Sequence, residues 1–587
     1  MSIEETESSV SSEESAPKQV LPSSVETKVL GKTVEIALDT VDSQKVIEIQ
    51  SMLTPEVLSE NRKHAHGINV LGEGSVGYDY ISDQQSAELL KDPKQTLKNF
   101  REELQLDEQY VQEIRPEYAV DIIKMEIDKR NSKSTEKRRA ETEMLDELGI
   151  DGAVKIHMCK GPFDSRHLDI ESVSPQQEEA YTYVRKEIEK GMRVQIALGP
   201  GIAEYQDENG ETVRNMTTFM NPETKALEES QTNFHIPTQA NELEKWGEYC
   251  RFVASKCPNA EFDVWVEPNH NLDDNGHGKF KHNSDSGRHG EFSSEGRKPE
   301  EYALAVIMAS YAVKQEAPNS KIGINVAFAD VDYIEKTLAA IKACGYDPEK
   351  VVDYVSFNPY RFGKKPESCG PKWNESLEGF RGDSAPRGRF DWNVEGSYED
   401  EVLSLMRRVS RLGIKDIRTS ESGYPAGELT RKQQAEYNLK GWLLDRYLGL
   451  PESPWTLSSE SEEFSFIDKF GRKTETYFAY KNFNSVFSSS VVPKGEIKVS
   501  DENVVCKVFE DQSDSSQVLV LWYTTDYYSN NDENPNINVS LELPDEVQAN
   551  ITVDLTREVP INNKFDGKQL RFQVKGEPTI VRLKKKV

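Results

Sequence analysis

Two short apolar runs of this chain each end in a glutamate at the point where the sequence turns into a loop. They are Asp263-Val264-Trp265-Val266-Glu267-Pro268-Asn269 and Thr419-Ser420-Glu421-Ser422-Gly423-Tyr424-Pro425. Both runs read as strands, so both carboxyls would stand at strand ends. Two carboxyls delivered from different strands can divide the work of breaking a glycosidic bond. One keeps a proton for the leaving oxygen, and the other stays ionised to attack or support the anomeric carbon. Glu267 is the expected acid/base and Glu421 the expected nucleophile. Their surroundings must then differ: apolar or anionic neighbours for the first, hydrogen-bond donors for the second. Carboxyls about 5–5.5 Å apart go with retention, and roughly 6.5–9.5 Å with inversion.

The elements that would hold these residues alternate. Strand candidates are Gly67–Leu71, Gly152–Met158, Met192–Leu198, Phe262–Val266, Lys321–Phe328, Val352–Phe357, Asp416–Thr419 and a segment near Pro454–Leu457. Helical runs such as Glu242–Ser255, Glu300–Glu316, Val331–Cys344, Glu399–Leu412 and Arg431–Leu448 lie between them. Alternation of this kind implies a parallel sheet, and eight units imply an α/β fold closed as a (β/α)₈ barrel. Its functional face is at the carboxyl ends of the strands, where Glu267 and Glu421 fall. The expected organisation is a Ser/Glu-rich disordered tail over 1–20, strands within 21–65, and the barrel over 66–487 with a helical insertion at about 84–147. The last part, 488–587, changes to short alternating strands without helices, which read as a β-sandwich. The strands expected between Thr27 and Met52 would complete that sandwich from the other chain end.

Length and charge narrow the function. The chain has 587 residues, 36% of them apolar, and a net charge of −30. So acidic a chain lacks the basic face that phosphate neutralisation needs, which argues against nucleic acid and against an anionic membrane surface. Neutral sugars are indifferent to that charge. Six cysteines without metal spacing read as buried thiols. No apolar run approaches the ~18 residues of a membrane span. Without a basic start followed by an apolar core, a cytoplasmic location is expected, although a secreted chain trimmed of its leader would read the same.

The motifs together resemble glycoside hydrolase clan A, and most closely its family 39 type with a C-terminal β-sandwich. In that clan the acid/base ends the fourth barrel strand in Trp-Asn-Glu-Pro, read here as Trp265-Val266-Glu267-Pro268. The nucleophile ends the seventh in Glu-x-Gly, here Glu421-Ser422-Gly423. The sixth ends in His-x-Tyr, whose hydroxyl bonds the nucleophile, and here the text is Asn358-Pro359-Tyr360. The resemblance implies a retaining hydrolase of β-linked sugars that needs no cofactor. Two positions depart from the pattern. Val266 replaces an asparagine that bonds the sugar 2-hydroxyl, and the second strand offers Lys155 or His157 where the clan has an arginine.

Around the two glutamates, Asn269 and His270 open a loop to Lys298 that holds His270, His277, His282 and His289. Those spacings converge on no metal, so none is expected; the loop reads either as a polar lid over the sugar or as a solvated irregular segment. Trp265, Trp373, Trp392, Trp455, Tyr360 and Tyr424 are candidate platforms for a pyranose face, and Asn358, Asn325 and Asp330 are candidate polar contacts. A barrel that binds glycans without cutting them, and a transglycosidase using the same residues, are the alternative readings.

Overall fold

A computed structural model describes residues 29–71, 86–87, 89–99, 115–150, 153–157, 175–199, 204–206, 209–214, 216–220, 227–231, 236–269, 298–361, 363–373, 390–391, 394–427, 429–457, 464–468, 472–529 and 536–586. The expected tail over 1–20 lies outside them.

At the centre is a seven-stranded sheet, parallel throughout and ordered along the chain. After an N-terminal strand β1 (Val29–Ile36), its members are β2 (Ile68–Leu71), β3 (Ala153–His157), β4 (Arg193–Leu198), β5 (Glu261–Val264), β6 (Lys321–Ala327), β7 (Tyr354–Asn358) and β8 (Ile417–Thr419). Helices between the strands cover the outside, including Ala240–Lys256, Pro299–Glu316, Val331–Ala343 and Tyr398–Arg411. Every residue of β4, β5, β7 and β8 is buried, as a sheet packed on both faces requires. Beyond β8 the chain reaches Glu452–Pro454, which bridges both edges of the sheet. Gly67 N donates to Glu452 O at 2.8 Å and Glu452 N to Ala65 O at 2.8 Å, while Ser422 N donates to Ser453 O at 3.0 Å.

The amino ends of the strands carry a buried ionic cluster. Arg418 donates to Asp416 Oδ1 at 2.7 Å and pairs with Glu261, and its guanidinium lies 4.1 Å from the Tyr354 ring centre. Arg193 approaches the same Glu261 at 3.1 Å. Burial alone would raise Glu261, but the arginines and Lys321 outweigh it and hold the carboxyl below its ordinary range. This end is closed by charge pairing, leaving the carboxyl ends for chemistry. Close packing fixes one glycine on β6: a Cβ on Gly323 would meet Tyr354 Cε2 at 2.2 Å.

The C-terminal part consists of two sheets sharing one apolar core that includes Val34, Leu519, Val539, Leu541 and Val581. β1 pairs in parallel with Asn536–Glu542 in the three-stranded sheet, and the other sheet has six strands. The expectation of strands through Met52 is corrected. Gln44–Met52 and Pro55–Lys63 are helices, with Val46, Ile49 and Leu53 turned into the main core. Their apolar residues recur at three to four positions, which the β-branched content obscures on reading. The long insertion is represented by the helix Pro116–Leu148, which Gly149 ends in the left-handed conformation.

Candidate active site

Glu267 lies three residues beyond β5 and Glu421 two beyond β8, at the same end of the sheet. The turn after β5 is tight. Trp265 and Glu267 both have positive φ, 64° and 52°, a conformation costing of order 1–3 kcal/mol for such residues. Neighbouring side chains hold it. Glu267 N donates to Asn325 Oδ1 at 2.9 Å, and Asn358 Nδ2 donates to Glu267 Oε1 at 2.8 Å. Asn269 ties the far side of the turn to the end of β6. Its Nδ2 donates to Ala327 O at 3.1 Å and Asp330 Oδ2 at 2.9 Å, while its Oδ1 accepts from Ala327 N at 2.8 Å.

Glu421 is 6% exposed and accepts a hydrogen bond from Tyr360 Oη at 3.3 Å. Burial pushes the Tyr360 hydroxyl well above its ordinary range, and the charges of Glu421 and Glu267 push it the same way. The hydroxyl therefore stays protonated and donates. The two carboxyls are also linked through the protein: Asn358, which donates to Glu267, accepts through Oδ1 from Ser420, the residue before Glu421, at 2.6 Å.

The remaining candidates divide. Trp455 is part-exposed beside Glu421, its N–H donating to Ser422 O at 2.7 Å, and the Trp455–Thr456 peptide is cis. Trp265 does not offer a platform. It is 3% exposed, turned inward against Trp246 by the left-handed turn. Tyr424 is likewise enclosed, in contact with Tyr437 and bonded through its hydroxyl to Arg361 Nε at 3.3 Å. Asn358, Asn325 and Asn269 are buried and bonded to protein, so they frame the site rather than line a sugar subsite. Asp330 caps the helix Val331–Ala343, accepting from Tyr333 N at 3.2 Å. Lys155 and His157 belong to β3, but their side chains lie outside what is described, as does that of Trp373. His270, Trp392 and the rest of the loop to 297 are also outside the described residues. Among those described, no cluster of three metal-ligating side chains occurs, and no helix is long and apolar enough to cross a membrane.

Sequence reading missed the polar residues beneath the glutamates: Asp263, Ser356 and Ser420, with Gln195. A signal existed. Asp263, Asn325 and Ser356 interrupt otherwise apolar strands, and Asn325 is paired in register with Ser356.

No protein-family model matches the chain, and no curated protein sequence matches it. Among solved structures, the chain is similar to a family 39 glycoside hydrolase from the gut symbiont Bacteroides cellulosilyticus WH2. The TM-score is 0.47 at 14% identity, over 76% of this chain and 78% of that one. A family 30 endoxylanase from Clostridium papyrosolvens C71 matches with TM-score 0.43 and 8% identity, over 76% and 92% of the two chains. An alpha-L-arabinofuranosidase from Thermotoga maritima matches with TM-score 0.35 and 11% identity, over 73% and 95%.

Proposed function

We propose that this chain is a retaining glycoside hydrolase acting on β-linked sugars by double displacement. In this reading the sheet is a (β/α)₈ barrel whose eighth strand is the segment around Glu452–Pro454, and the C-terminal sheets are an appended sandwich. The observation that carries the reading is Tyr360, bonded to Glu421 and influenced by Glu267 as well.

The chemistry follows from that geometry. Glu421 attacks the anomeric carbon while Glu267 gives its proton to the departing oxygen, leaving a glycosyl ester on Glu421. Glu267, now ionised, then takes a proton from water as the water oxygen displaces Glu421. Tyr360 holds Glu421 in line and supports its charge as the ester breaks. Asn358 keeps a donor on Glu267 in both halves of the cycle. Trp455, part-exposed and tied through its backbone to the residue after Glu421, is assigned to the sugar bound there.

A panel of nitrophenyl β-glycosides tests the proposal. Wild type turns over at least one of them, Glu421→Ala loses that turnover, and azide restores it by attacking from the vacated side. Val266, which carries no amide where a 2-hydroxyl partner would stand, favours a second reading as a glycan-binding barrel that does not cut. Binding of the same glycans without turnover by wild type would establish that alternative.

A further inference from the structure

Glu267 sits on a chain of neutral hydrogen-bonding groups whose direction can be worked out from its ends. A backbone N–H can only donate, so the Glu267 N–H fixes Asn325 with Oδ1 towards the turn, at 2.9 Å. Asn325 Nδ2 must then point inward, where it donates to Ser356 Oγ at 2.9 Å and Ser420 Oγ at 2.7 Å. Ser356 passes its own hydrogen down to Asp263 Oδ1 at 3.0 Å, on a fully buried carboxyl whose two oxygens also accept from Gln195 Nε2 at 3.0 Å. Both ends therefore agree on one direction. Ser420, having accepted from Asn325, donates to Asn358 Oδ1 at 2.6 Å. That settles the Asn358 amide, leaving Nδ2 to donate to Glu267 Oε1 at 2.8 Å.

We propose that Ser420 is a positioning residue for the acid/base: its hydroxyl, oriented by Asn325, holds the Asn358 amide so that Oε1 of Glu267 is always an acceptor and the transferable proton resides on Oε2. The inference rests on Glu267 being the acid/base. In the first step the proton leaves Oε2 for the glycosidic oxygen as the anomeric carbon bonds to Glu421, and Oε1 keeps its Asn358 partner. In the second step Oε2 takes a proton from water while the Glu421 ester bond breaks. The same oxygen handles the proton both ways because the other is never released. Ser420 also directly precedes Glu421, so one side chain links the placements of both carboxyls. The other titratable groups described around Glu267 include Tyr360 beyond β7, Glu421 beyond β8, Asp330 beyond β6, Asp263 within its own strand, and Tyr302 on the helix Pro299–Glu316, whose hydroxyl donates to Val264 O.

The test reads the carboxyl directly and does not need turnover. Protein labelled with ¹³C at the glutamate side-chain carboxyl is titrated by NMR, with Glu267 identified by the signal that Glu267→Gln removes. Ser420→Ala frees the Asn358 amide to turn its oxygen towards a protonated Glu267, so the Glu267 midpoint rises by about one pH unit. Ser420→Thr, which keeps the hydroxyl, restores the wild-type midpoint. Asn358→Ala, which deletes the donor, raises it as well and serves as the second variant should Ser420→Ala not fold. A midpoint unmoved in whichever of these variants folds overturns the inference. Absence of glycoside turnover in the wild type would instead count against the proposed function, and the titration would still read the hydrogen-bond direction, so the two failures separate.

Discussion

Tyr360 is where the electrostatics of the two glutamates meet. Its hydroxyl donates to Glu421 and is kept protonated by burial and by both carboxylates. Tyr360→Phe removes the donor while keeping the ring against Phe464. A lost donor disfavours the ionised nucleophile, so the acidic limb of the kcat/KM profile should move to higher pH. We expect kcat to fall by about 10²-fold, the scale for one aligned donor at a developing charge. An unchanged profile would show that the Tyr360–Glu421 contact is not formed during turnover. At this scale the sequence located the strand ends and the Tyr360–Glu421 neighbourhood. Glu267, Glu421 and Tyr360 stand in motifs with fixed spacing, and spacing survives translation into strand ends. Trp265 and Tyr424 misled because an aromatic ring beside a motif can turn inward or outward, and a single left-handed turn decides which.

At the scale of elements, the segment Glu452–Pro454 joins the two edges of the sheet while carrying a fully buried carboxyl. Glu452 is 0% exposed, 3.4 Å from His66 Nδ1, and burial pushes it up to about 8 against the pull of Arg446. An acid raised on folding contributes stability that is full below its unfolded value near 4.5 and is lost as pH climbs towards 8. Melting temperature should therefore fall between pH 5 and pH 8. Glu452→Gln should raise it at pH 8, change it little at pH 5, and leave a smaller slope of the same sign from Asp445 and Glu577, both of which burial pushes up to about 7. Calorimetry at both pH values measures this, and an identical slope in the variant would contradict it. Neither this carboxyl nor the Arg418 cluster was legible in the sequence. Their burial comes from partners distant along the chain, and a charged residue within a strand reads as solvent-facing until those partners are known. The helix Arg431–Tyr447 makes the same point. Its residues from Gln434 to Tyr447 are all buried, including Lys440, Asp445 and Arg446, so no apolar stripe announced which face packs inward.

Across the whole molecule, the first described strand, β1, joins the C-terminal sheets, and those sheets are fastened to the central one. Tyr437 Oη donates to Thr525 O at 2.9 Å and Asn482 Nδ2 to Leu555 O at 2.7 Å, while Trp522 and Val520 belong to the main core. Unfolding should be a single calorimetric transition. Removing residues 1–36 strips β1 from Asn536–Glu542 and uncovers Ile537, Val539 and Leu541. We expect a lower melting temperature with the transition still single; two separated transitions would show that the parts unfold independently. The alternation of strands and helices was visible in the sequence because parallel strands buried on both faces leave long apolar runs. That the strand near residue 30 joins the C-terminal sheets was expected from its alternating pattern; its particular partner, Asn536–Glu542, and the parallel register were not, since no local pattern encodes so distant a pairing.

The central claim is that Glu421 becomes covalently bonded to the sugar while Glu267 manages the proton. Incubation with a 2-deoxy-2-fluoro β-glycoside carrying a good leaving group, followed by intact-mass and peptide mass spectrometry, tests it directly. The account predicts one added glycosyl mass on the peptide containing Glu421, and none in Glu421→Ala. A label on Glu267, or steady release of the leaving group with no covalent adduct on any residue, would contradict it.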